Sequence, residues 1–257
     1  KKIMFRKKFF KKRRILLKYI RSKYAPINAN KPLDNKYTFS DLFFWRIKNN
    51  WETEFDLMPY QDLLNPNNKN IKEERLSKLL IISKEGKIIN QEVLKTKRLK
   101  KNIIKISDYV PKSHKDNEYG NFLIFHKYLE NKNNLKEGFI TDRGYIKYNF
   151  HKKDIFTYTH ANLDAISGDF NKIDPKYFTF TKSTILKRTY RIQYLFSKKY
   201  NYDITLSNPT IKKQNYEIIY FNTQMKKILS KKIKINSLGI EIVKSPFLNS
   251  DYYIFIK

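Results

Sequence analysis

Leu79-Leu80-Ile81-Ile82-Ser83-Lys84-Glu85-Gly86-Lys87-Ile88-Ile89 decides the fold. Two runs of Leu and Ile, each too short for a stable helix, stand on either side of a polar Glu85-Gly86 turn. Side chains that branch close to the backbone sit well on a pleated surface, so both runs read as strands. The same texture extends outward. Leu42 to Leu57, Ile103 to Ile106 and Phe122 to His126 belong to it in the first half. Phe139 to Phe150, Ile155 to Ile166, Tyr177 to Phe180, Tyr190 to Phe196, Tyr202 to Leu206, Tyr216 to Phe221, Ile228 to Ile235, Gly239 to Val243 and Tyr252 to Ile256 continue it. Turn signals such as Asn65-Pro66-Asn67-Asn68 separate them. No interior segment keeps a helical period over a dozen residues, so the body is expected to be all-β, with the short strands and regular turns of a sandwich.

The order of these signals repeats. Phe55-Asp56-Leu57, Asn65-Pro66, Leu79 to Ile82, Ile88 to Leu94, Ile103 to Ile106 and Phe122 to Phe125 are followed, in the same order, by a second series. That series is Tyr202-Asp203-Ile204, Asn208-Pro209, Tyr216 to Phe221, Ile228 to Ile235, Gly239 to Val243 and Tyr252 to Ile256. The repetition suggests two related β-units, packed as halves of one pseudo-symmetric β-sandwich or as two small Ig-like sandwiches.

The N-terminus reads differently. Phe5, Phe9, Leu16 and Ile20 fall on one face of a helix spanning residues 1–24, with basic residues on the others. Twelve Lys and Arg and no acid lie between Lys1 and Lys23. Arg6, Lys7, Lys8, Lys11, Lys12, Arg13, Arg14, Lys18 and Arg21 make this basic amphipathic helix the expected contact with a polyanion, either an anionic membrane surface or RNA. Pro26 and Pro32 break the period, and 25–36 reads as a linker. The expected organisation beyond it is a first β-unit over 37–137, then a central segment with the repeat-related unit over 138–257.

The composition narrows the function. With 40% hydrophobic and 16% aromatic residues among 257, the chain is able to bury a core, and the absence of Cys excludes disulfide scaffolds and Cys-based zinc sites. No uninterrupted apolar window reaches the length of a spanning helix, so a cytoplasmic protein, at most peripheral on a membrane, is expected. A net charge of +30 invites a polyanionic partner. The abundance of Lys, Asn, Ile, Phe and Tyr beside scarce Gly, Ala and Pro is also what AT-rich coding produces. No phosphate-binding glycine loop, paired-His helix, serine elbow or Cys nucleophile is present, and neither a cofactor nor a metal is expected.

The central segment departs from simple alternation. In Phe156-Thr157-Tyr158-Thr159-His160-Ala161-Asn162-Leu163-Asp164, a strand period places His160, Asn162 and Asp164 on one face. Imidazole, amide and carboxylate together are able to bind hydroxyls, ligate a cation or act as a base and its orienter. Asn162 and Asp164 starting a turn, with His160 a structural edge residue, is the plainer reading. Arg143 and Tyr145 flank Gly144 in a turn that leads into a strand, His126 ends an earlier strand, and Arg191 and Gln193 share a face by alternation. These eight residues form the expected ligand patch, although Arg143 and Asp164 also suit a structural ion pair.

The leading expectation is therefore a binding protein that takes a carbohydrate or another polar ligand in this patch and is tethered by its basic arm. The first alternative is an RNA-binding structural component of a large ribonucleoprotein; the second is a hydrolase or lyase using His160 and Asp164. Salt separates the first two: neutralising six to ten phosphates costs roughly three to five decades of affinity between 50 and 200 mM salt, whereas sugar binding is indifferent. Whether the chain is an enzyme stays open on the sequence.

Overall fold

The computed structural model describes residues 37–57, 74–97, 102–114, 118–127, 144–153, 155–160, 165–172, 174, 176, 178 and 189–257. The expected basic helix and linker lie outside these residues. Among the described residues the structure is all-β: sixteen strands, every pairing antiparallel, and no helix beyond three-residue 3-10 turns. No helix among them is long and apolar enough to cross a membrane.

The first set of strands is β1 (Tyr37–Asp41), β2 (Phe43–Arg46), β3 (Trp51–Asp56), β4 (Glu74–Ser83), β5 (Ile88–Lys97), β6 (Ile103–Lys105), β7 (Tyr119–His126), β8 (Tyr145–Phe150), β9 (Ile155–His160) and β10 (Ala165–Asp169). They form one sheet in the order β2-β7-β4-β5 and a second in the order β6-β3-β8-β9. β1 pairs with β10 and runs beside β7, where the Ile124 amide donates to Ser40 Oγ at 2.7 Å.

The apolar runs of β4 and β7 are buried on both faces. Leu79 and Ile81 of β4, with Phe122 and Ile124 of β7, face Phe55 and Ile146 of the second sheet. Phe43 stacks on Phe122 at 4.9 Å and meets Phe55 edge-on at 4.8 Å. The intervening residues Leu80, Ile82, Leu123 and Phe125 point the other way, under Ile166, Phe170, Phe178 and Leu238. A strand buried on both faces needs apolar residues at every position, which is why neither run alternates. Each such side chain contributes about 1.5–3 kcal/mol on burial.

The second set is β11 (Tyr190–Arg191), β12 (Asp203–Ser207), β13 (Gln214–Asn222), β14 (Lys227–Ile235), β15 (Ile240–Lys244) and β16 (Tyr252–Ile256). Its sheets run β11-β16-β13-β14 and β12-β15. Ile218, Tyr220, Tyr252 and Ile254 of the larger sheet pack with Ile204 and Val243 of the smaller, and Phe196 stacks on Tyr252 at 5.6 Å.

Strand for strand, β11 to β16 reproduce the pairing of β2 to β7: the third strand pairs with the fourth and the sixth, the first with the sixth, and the second with the fifth. The likeness reaches single hydrogen bonds. In the β4–β5 turn Ser83 N–H donates to Lys87 O at 2.8 Å and Gly86 N–H to Ser83 O at 3.0 Å; in the β13–β14 turn Asn222 N–H donates to Lys226 O and Met225 N–H to Asn222 O, both at 3.0 Å. Each hairpin carries a register shift just before its turn, at Ile81/Ile82 and Tyr220/Phe221. Each has a positive φ at the same place, 89° at Gly86 and 61° at Met225. The described strands of the central segment, grouped by sequence with the second unit, hydrogen-bond to the first: β8 to β3, β9 to β8 and β10 to β1.

The two sets meet at a polar joint. The β4–β5 turn sits on residues 236–240, with Ile240 N–H donating to Lys84 O at 2.9 Å and Asn236 Nδ2 to Glu85 O at 3.2 Å. Buried Asn121 donates to Leu238 O at 2.8 Å and accepts from Ser207 Oγ at 2.9 Å. Arg46 pairs with Asp203 at 2.8 Å on the rim.

Candidate functional site

Trp51-Glu52-Thr53-Glu54-Phe55-Asp56 alternates along β3, with Thr53 and Phe55 fully buried. A period of two then sends Glu52, Glu54 and Asp56 to the opposite, outward face. β8 obeys the same logic: Ile146 enters the core opposite Phe55, so Tyr145 and Lys147 face outward with the carboxylates. Register lines the face up in rows. Asp56, Tyr145 and His160 are successive partners across β3, β8 and β9; Glu54, Lys147 and Tyr158 form the next row; Glu52, Asn149 and Phe156 the third. A column of carboxylates thus stands beside a column of donors, at the edge of which the Phe156 ring is 57% exposed.

The side chains are held in place. Lys147 Nζ lies 3.2 Å from Glu54 Oε2 and 5.1 Å from the centroid of the Phe156 ring, so one ammonium links the carboxylate column to the aromatic edge. Glu52 is fixed by the Ser107 hydroxyl at 3.1 Å and the Thr53 amide at 3.2 Å. Beneath the face, Tyr148 donates to Phe44 O at 2.9 Å, and burial pushes its phenol far above the ordinary range, so it serves as a neutral structural donor. Three carboxylates on one short strand of a chain carrying +30 are a local reversal of charge. Among the described residues no group of three His, Asp or Glu is arranged to hold a metal ion.

No family model, curated protein or solved structure matches this chain. The site is therefore read from its own geometry.

The expected ligand patch divides among three sheets. Tyr145 and His160 are brought together as cross-strand partners on β8 and β9. His126 ends β7 in the other sheet of the first set, opposite Ser77, whose Oγ lies 2.8 Å from His126 Nδ1. Arg191 stands on β11 in the second set, its guanidinium 4.1 Å from the centroid of the Tyr253 ring. The strand ends there: Tyr194 N–H turns back to Ile192 O at 2.8 Å, and Gln193 is exposed at the bend, so the alternation expected to join Arg191 and Gln193 on one face stops short. Arg143, Asn162 and Asp164, with the basic residues from Arg6 to Arg21, lie outside the described residues.

Sequence reading missed Glu52, Glu54, Asp56, Lys147, Asn149 and Phe156. The alternation of carboxylates between Trp51 and Asp56 was the available signal, but it marks only a strand with one wet face. What makes it a site is the register that sets β8 and β9 beside it.

Proposed function

We propose that this chain is a carbohydrate-binding protein built from two copies of one sandwich unit, and that the outward face of β6-β3-β8-β9 takes the ligand. The row arrangement carries the reading. A polyhydroxylated ligand presents donors and acceptors at short intervals around apolar ring faces. Carboxylates accept its hydroxyl protons, an ammonium donates to its oxygens, and an exposed ring covers its C–H surface. Asp56, Glu54, Lys147 and Phe156 supply these functions on adjoining strands of a rigid sheet, which limits the ordering cost of binding.

The repeat supports the two-copy part of this proposal: six strands in the same chain order, paired alike, with hairpins matched to the residue. Among the described residues β8 and β9 have no counterpart in the second set, so the proposed ligand face is assigned to the first unit. An array of immobilised neutral and acidic oligosaccharides probed with the labelled full chain tests the function. Retention on a subset of neutral glycans, lost in Phe156→Ala, is expected; uniform failure to bind neutral glycans overturns the reading.

A further inference from the structure

We propose that the outer face of the second unit's larger sheet binds single-stranded nucleic acid. In the first unit the corresponding face, made by Leu80, Ile82 and Leu123, is fully buried beneath Ile166, Phe170 and Phe178. The repeat carries these positions onto Ile219, Phe221 and Phe255, which are only half-buried, and Tyr253 stands beside them. Their cross-strand partners confirm a shared face: Ile219 pairs with Phe255 and Phe221 with Tyr253, on the side opposite core residues Ile218, Tyr220 and Ile254. Phe221 and Phe255 meet edge-on at 4.8 Å.

Charge selects the occupant. Arg191 is the partner of Phe255 and lies over Tyr253, while Lys227 is the partner of Phe221 and Lys232 of Glu217. Lys257 exchanges backbone hydrogen bonds with Glu217 at the end of the same face. Glu217 is the lone carboxylate among these partners. Burial pushes it up, but the Ser230 hydroxyl and the ammonium groups of Lys227, Lys257 and Lys232 outweigh that and hold it below the ordinary carboxylate range. A neutral sugar leaves these cations unused, and a polyanion without rings leaves the aromatic surface unused. A single strand of nucleic acid engages both, its bases against Tyr253 and the Phe rings and its phosphates on the cations. This face lies on a different sheet from the proposed sugar site and stands independently of it.

The test is fluorescence anisotropy of labelled oligo(dT) with the full chain at about 200 mM salt, where contacts to phosphate alone are weakened. Heparin is the ring-free polyanion for comparison. Tyr253→Ala and Arg191→Gln are expected each to weaken oligo(dT) binding about tenfold. Heparin affinity in Tyr253→Ala is expected to stay within about twofold. Arg191 is exposed on a two-residue edge strand, so its variant keeps the test valid if Tyr253→Ala misfolds. Unchanged oligo(dT) affinity in Arg191→Gln and in a folded Tyr253→Ala overturns the proposal, as does an equal loss of heparin binding in Tyr253→Ala. A self-associating chain whose dimer is abolished by Tyr253→Ala and indifferent to oligo(dT) assigns the face to a second copy instead.

Discussion

Gly86 and Met225 occupy the same position in two matched hairpins, and substitutions there are expected to have opposite effects. Gly86 has φ 89°, and a Cβ on it would overlap Ser237 O and meet Gly239 N at 2.9 Å. Gly86→Ala therefore combines two costs. A left-handed backbone costs a residue with Cβ roughly 1–2 kcal/mol, of which about 0.5–1 is recovered from the stiffer unfolded chain. Relieving the overlap with a backbone oxygen moves the turn off residues 236–240, which breaks the bonds from Ile240 N–H to Lys84 O and from Asn236 Nδ2 to Glu85 O. At about 0.5–1.5 kcal/mol each, these bring the expected loss to about 1–4.5 kcal/mol. Met225 also has a positive φ, 61°, and is 47% exposed, so Met225→Gly releases strain without emptying a core and is expected to gain about 0.5–1 kcal/mol. Urea denaturation followed by tyrosine and tryptophan fluorescence measures both. A lowered midpoint in Gly86→Ala with a raised one in Met225→Gly supports the hairpin equivalence and the joint; a neutral Gly86→Ala, or shifts of the same sign, refutes the reasoning.

Three further expectations follow from the same geometry. Asn121→Ala removes the buried donor to Leu238 O and Gly239 O and leaves the Ser207 hydroxyl without its acceptor, so a loss of about 2–3 kcal/mol in urea is expected, and a change below about 0.5 kcal/mol contradicts a joint held by this side chain. Asp203→Ala, which breaks only the rim pair with Arg46, should cost no more than about 1 kcal/mol, and a larger loss would mean the pair does more than decorate the joint. At high pH, burial holds Tyr220 up to about 12, with Tyr252 adding to it, and holds Tyr148 higher, while unfolded tyrosines ionise near 10. Above pH 10 the unfolded chain thus releases protons the folded chain keeps, and stability present below pH 10 is lost as pH rises toward 12, by at most about 1.4 kcal/mol per pH unit for each of the two tyrosines; a urea midpoint constant from pH 8 to about 11.5 contradicts this.

Strand texture was legible wherever local chemistry repeats. The apolar runs at Leu79 to Ile82 and Phe122 to Phe125 identified strands, but not that Leu80, Ile82, Leu123 and Phe125 meet a separate cluster on their far side, because burial on a second face depends on what the chain lays over it. The repeat was visible as an order of signals, and the order is what fixes pairing: a hairpin, a return strand and a crossing strand in each set. Asn208-Pro209 read as a turn. Only the structure explains its Asn, whose Nδ2 donates to Lys212 O, Ile235 O and Asn236 O and whose Oδ1 takes the Thr210 amide. Tyr190 to Phe196 read as a strand, yet its contact with β16 runs from Tyr190 to the Ile192 N–H, which donates to Ile254 O at 2.9 Å, and resumes at Phe196, because the chain turns at Ile192 to Tyr194. The candidate site was the least legible part. Residues as far apart in sequence as Asp56 and His160 fall into one row, on either side of Tyr145, only through register, and no local pattern in either strand specifies it.

Titration of the full chain with neutral oligosaccharides of several linkages, followed by calorimetry at 50 and 200 mM salt, bears most directly on the proposed ligand face. Saturable binding that is indifferent to salt and at least about tenfold weaker in both Asp56→Asn and Phe156→Ala is expected, since each variant removes one hydrogen-bonded or stacked contact while keeping the strand register. Absence of binding to every neutral oligosaccharide, or binding that both variants retain in full, contradicts it.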